Sequence, residues 1–129
     1  YYRLILDSRI LADGLPIITA DGLIPLKARA WLDLTQQQAE GKPVDGDDIR
    51  KHRRDVFRLT AALPAERGPA LAKVIRDDLR EFVAAFPAES PEWTDLCRSL
   101  RTDLGVAVPS PQDLLGALAE YFALGDSKV

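Results

Sequence analysis

The segment LIPLKARAWLDL, residues 23–34, constrains the fold of this chain more than any other stretch. It offers a broad apolar helical face with one charge set into that face. At about 100° per residue, Leu23, Ile24, Leu26, Ala28, Ala30, Trp31, Leu32 and Leu34 fall along one arc, and Arg29, Asp33 and Gln36 fall opposite. Lys27 projects near the middle of the apolar arc, between Leu34 and Trp31. An unpaired buried ammonium is strongly unfavourable, so Lys27 either snorkels to water or meets a partner. Two readings follow: a snorkelling lysine on a wide helix face, or a lysine placed to meet an anion at the edge of a site.

The rest of the chain is punctuated by turn residues into similar units. Residues 1–6, YYRLIL, are aromatic and aliphatic and predict a strand, with Asp7, Ser8 and Arg9 as a turn. LPIIT at 15–19 predicts a second strand, so that the first twenty residues read as a hairpin or the remnant of a sheet, with Pro16 at an edge. The helix around Lys27 then spans about 21–39, with Asp21 as N-cap, Pro25 in the first turn, and Gly41 and Pro43 ending it. A second helix spans about 47–63, capped by Asp45, with Ile49, Val56, Leu59 and Leu63 inward and His52 on the same stripe. A third runs to about residue 86 through Leu71, Ile75, Leu79, Phe82 and Phe86. Two more each open on Ser-Pro, at 90–91 and 110–111, an N-cap followed by proline at the first helical position. Their inward stripes are Trp93, Leu96, Cys97, Leu100 and Leu104, then Leu114, Leu115, Leu118, Tyr121 and Phe122. The expected fold is mainly α: a bundle of about five helices over residues 21–129, behind a small N-terminal β hairpin or sheet remnant at 1–20.

Composition narrows the function without naming it. A net charge of -3 argues against a general nucleic-acid coat or membrane-surface protein, and no apolar run approaches the length of a membrane helix. Cys97 is the single cysteine, which excludes a disulfide framework and predicts a reducing, cytoplasmic setting; on an inward stripe it reads as a structural thiol. With one histidine and one cysteine far apart, a metal cluster is not expected. Asp47-Asp48 and Asp77-Asp78 are helix neighbours that diverge by about 100°, so neither pair converges on a metal. The most basic piece is IRKHRRDVFR, residues 49–58. Arg50, Arg54 and Arg58 recur at steps of four beside Lys51, which makes them candidate nucleic-acid contacts. The blander reading is a solvated face with Lys51 and Asp55 paired at i,i+4.

Taken together, LIPLKARAWLDL and DIRKHRRDVFRL resemble the C-terminal half of nucleotidyltransferases of the AbiE toxin type, within the polymerase-beta-like superfamily. In that family an apolar helix carries a lysine, matched here by Lys27. A second helix carries a basic residue and an aspartate ahead of Leu or Val, matched by Asp55 in KHRRDV. The match covers about residues 15–63, and His52 stands where many members have an acid. The family's Gly-Ser turn and strand Asp-x-Asp, which hold Mg²⁺ for nucleotide transfer, do not occur in this chain. The resemblance therefore implies a helical C-terminal domain trimmed from a parent that uses Mg²⁺ and a nucleoside triphosphate. It implies Lys27 and Asp55 as nucleotide-binding residues, no catalytic or metal residue in this part, and an RNA acceptor and an antitoxin protein as candidate partners. Three roles stay open: a nucleotide- or acceptor-contacting domain inactive alone, a helical module for a protein partner such as an antitoxin, and a nucleic-acid-binding domain using the arginine face.

Overall fold

The computed structural model describes residues 1–12, 15–64, 68, 70–104 and 108–124. Among these, six helices and one two-stranded ribbon follow in the order α1 (Tyr2–Ser8), β1 (Arg9–Ala12), β2 (Leu15–Ile18), α2 (Ala20–Ala39), α3 (Gly46–Ala61), α4 (Lys73–Ala84), α5 (Glu92–Leu104) and α6 (Pro111–Tyr121). The molecule is mainly α, a helical bundle as its punctuation and stripes lead one to expect.

The N-terminus departs from expectation. Residues expected as a strand form α1, because packing outweighs the β preference of aromatic and branched side chains: helical turns carry Leu4 into the core beside α2. The ribbon lies later, pairing Arg9 with Ile18 and Ala12 with Leu15 in antiparallel register, so Arg9 belongs to a strand and not to a turn. Pro16 sits in β2, which like any strand of a two-stranded ribbon is an edge. Asp7 lies in α1.

The helix ends show local sequence at work. Thr19, not Asp21, occupies the N-cap of α2, and Pro25 falls in its second turn, where it leaves the Asp21 carbonyl without its usual donor. At the other end Gly41 adopts φ of 82° while its N–H bonds to the Gln38 carbonyl and that of Lys42 to Gln37, a Schellman closure that only glycine makes without strain. Asp45 caps α3 by accepting from the Asp47 N–H at 2.9 Å, and Ser110 caps α6 by accepting from Asp113 at 3.1 Å.

The turn at 40–45 folds α2 and α3 into a helical hairpin. Behind it lies an aromatic cluster built from separate elements: Trp31 of α2, Phe57 of α3, Phe82 of α4 with Phe86 just beyond it, and Trp93 of α5. Phe57 stands with its centroid 4.8 Å from Trp93, 5.6 Å from Phe82 and 5.7 Å from Phe86. Of the expected stripes of the later helices, Ile75, Leu79, Phe82, Phe86, Trp93, Leu96, Leu100, Leu114, Leu118, Tyr121 and Phe122 are buried, Leu71, Cys97 and Leu115 are half-buried, and the Leu104 side chain lies outside those described. In α3 the buried apolar pair is Val56 and Phe57, with Ile49, Leu59 and Leu63 only half-buried, so the inward face is rotated from the expected one.

Two polar ties bind the ends of the chain to the bundle. Tyr1 donates to Asp78 at 2.7 Å, and Arg29, on the supposedly outer side of α2, bonds both Asp33 at 3.0 Å and Asp78 of α4 at 3.0 Å. The Tyr121 hydroxyl donates to Asp21. Gly68 donates its N–H to the Tyr121 carbonyl at 2.8 Å, and a Cβ there would lie 2.2 Å from the tyrosine ring.

Candidate functional site

Lys27 and Asp55, drawn from two helices, meet across the hairpin, with Nζ 3.1 Å from Oδ2. The Asp55 side chain is 4% exposed and that of Lys27 is 28% exposed. The carboxylate is therefore the buried end of the pair and the ammonium its open end. Asp55 also faces two arginines of its own helix: Arg58 lies 3.3 Å and Arg54 3.7 Å from Oδ1. Oδ1 accepts no hydrogen bond, so these arginines compensate it by charge alone. One buried carboxylate thus faces three cations.

His52 lies beside this cluster. Burial first, and then the nearby Lys27 ammonium, push its pKa below the ordinary value near 6.5, against the opposing pull of Asp55 and Asp48. The imidazole is neutral at pH 7, as its place on the stripe suggests. Its Nδ1 is buried with no hydrogen-bond partner. A depressed histidine leaves stability complete above about pH 6.5, where folded and unfolded chains are both neutral. As pH falls below that value, the unfolded chain takes up a proton that the folded one refuses. Stability declines until the folded pKa is passed. Because His52 is the chain's one histidine, His52→Gln should flatten this part of the profile. Thermal midpoints between about pH 7.5 and 5 check it, and an unchanged profile would show that His52 titrates like a solvated histidine.

The basic candidates separate. Arg58 and Arg54 face Asp55, and Arg54 also lines, with Arg50 and Lys51, a cleft between α3 and α5. The expected pairing of Lys51 with Asp55 is not made, because Asp55 turns inward to Lys27; among the described residues Lys51 has no ion-pair partner. Arg53 and, from α5, Arg98 also line the cleft, and the sequence reading missed both. Arg53 follows Arg50 by three positions, a spacing that a search restricted to steps of four passes over. Arg98 carries no sequence signal that would join it to α3. Cys97 is a free, half-buried thiol on α5.

Among the described residues no group of three or more His, Cys, Asp or Glu side chains could hold a metal ion. No helix of the described residues is long and apolar enough to cross a membrane. Compared with known proteins, the chain matches no family model, no curated protein and no solved structure.

Proposed function

We propose that this chain is the helical C-terminal domain of a nucleotidyltransferase-like protein of the toxin–antitoxin type, working in the cytoplasm, in which Lys27 meets a nucleotide phosphate and Asp55 holds Lys27 in place. The observation that carries this reading is the charge arrangement at the hairpin. The two residues singled out by the family resemblance meet at 3.1 Å, with the carboxylate buried and the ammonium open. The Lys27 ammonium is the part of this cluster that stays open to an anion. A compact ammonium anchored from behind presents a point charge to a triphosphate with little conformational freedom left to lose. In this reading the domain supplies binding and orientation; the Mg²⁺ and the acids that hold it belong to the parent's strand motifs, and an RNA acceptor and an antitoxin remain partners of that parent.

The test is Lys27→Met in the parent polypeptide. Methionine keeps the packing of the stem and removes the charge, and Asp55 retains Arg58 and Arg54. Nucleotide affinity and turnover should fall by one or more orders of magnitude, the scale of losing one well-placed charge, with the fold intact by circular dichroism. Wild-type affinity and turnover would remove Lys27 from the site and leave it a snorkelling lysine.

A further inference from the structure

We propose that the cleft between α3 and α5 is a second anion site, built for a compact, multiply charged phosphate-bearing molecule. It lies outside the Lys27–Asp55 pair and does not depend on the nucleotidyltransferase reading.

The lining is the first argument. Five cations, Arg50, Lys51, Arg53, Arg54 and Arg98, line it with two carboxylates, Asp47 and Asp95, and Arg53 and Arg54 also meet Glu92 and Asp55 at its margin, in an acidic protein whose net charge is -3. The excess is local and comes from two helices, so it is not simply the solvated face of one of them. The two carboxylates offset two of these arginines, but through surface pairs. Each is bound to an arginine one turn away on its own helix, Asp47 to Arg50 and Asp95 to Arg98 at 3.1 Å, and such exposed pairs yield readily to a stronger anion. Lys51, exposed and without an ion-pair partner among the described residues, is available to a ligand as it stands.

Pre-organisation is the second argument. The Arg53 side chain is 12% exposed and reaches across from α3 to Glu92 of α5 at 3.2 Å, tying the two walls together. Its Nε is buried and has no hydrogen-bond partner. A guanidinium held in this way is fixed in orientation at the wall of the cleft, so little of its freedom is left to lose when an anion binds beside it.

Size and surface select the ligand class. The cleft encloses about 430 Å³, within the roughly 300–1,000 Å³ typical of small-molecule sites. Its remaining lining is Leu96 and the Ser99 hydroxyl, with no aromatic ring on which a base could stack. Binding of single-stranded nucleic acid draws much of its strength from such stacking, so the cleft favours a compact polyanion over a polynucleotide.

Tripolyphosphate is the probe, titrated into the chain at low ionic strength and followed by calorimetry and amide chemical shifts. Saturable binding should move amides of α3 and α5. Lys51→Gln combined with Arg98→Gln, two exposed positions that leave the core untouched, should weaken it by roughly tenfold or more. Absence of saturable binding, or equal binding by the Lys51→Gln/Arg98→Gln variant, overturns the proposal. So do shifts confined to α2 and its turn into α3 with the α5 amides unmoved, which would place the anion at the hairpin. Binding of a short single-stranded RNA without binding of tripolyphosphate overturns it too, in favour of a nucleic-acid face.

Discussion

Asp55→Ala is expected to lower the free energy of unfolding by about 3 kcal/mol, a large part of the 5–15 kcal/mol that holds a small domain together. The loss does not come from one salt bridge, since a buried pair contributes little net stability against its desolvation. It comes from what remains. Alanine leaves Lys27, Arg54 and Arg58 crowded around a site that no longer holds a negative charge. Lys27 can turn its open end to water and Arg58 is exposed, which keeps the effect at the lower end of what removing a buried partner produces. Lys27→Met should be milder, about 1 kcal/mol, because Asp55 keeps two guanidinium groups. Joining Asp55→Leu to Lys27→Met should recover part of the loss, the sign of a coupled pair. Urea midpoints of the three variants measure this. A shift under about 0.5 kcal/mol for Asp55→Ala would mean that the carboxylate is not compensating these cations.

Phe57→Ala should be at least as severe, about 3–5 kcal/mol, by a different mechanism. Phe57 is fully buried and its ring touches Phe82, Phe86 and Trp93, each from a different turn or element. Deleting the ring removes its transfer free energy and opens a cavity between α3, α4 and α5 that aromatic neighbours cannot easily refill. Trp93, centred 4.8 Å away, would lose its main packing partner, so its fluorescence should shift toward that of a wetter environment along with the urea midpoint. A loss below about 1.5 kcal/mol would show that the cluster collapses around the gap.

How far the sequence reveals this molecule differs from element to element. The later helices are legible because their stripes are clean: Ile75, Leu79 and Phe82 recur at helical spacing with polar residues between them, and Ser110-Pro111 marks where α6 begins. α3 is harder. Phe57 lies between Val56 and Arg58 in a run dominated by basic residues, and Asp55 and Thr60 share its buried face. Counting only aliphatic positions therefore turns the wheel toward Ile49, Leu59 and Leu63. α1 misleads because local preference and tertiary packing disagree, and packing wins through Leu4. The Lys27 anomaly is visible from one helix, but its partner is not; Asp55 emerges only when two segments are read together. The cleft is least legible of all, since Arg98 joins Arg53 through the packing of α5 on α3.

The clasp between Tyr121 and Asp21 bears on the order in which the bundle assembles. It joins positions 100 residues apart, whereas Lys27 and Asp55 are neighbours across a single turn. Closing the longer loop is more unfavourable by about 1 kcal/mol of chain entropy, and it cannot begin until the final helix exists. The α2–α3 hairpin, with its charged pair, is thus free to form while the C-terminal part is still unstructured. The start of α2 is fastened only when Tyr121 settles over Gly68, whose missing side chain leaves room for the ring. The charged heart of the molecule is local in sequence and its fastening is remote, so the pair can be in place before the fold around it is locked.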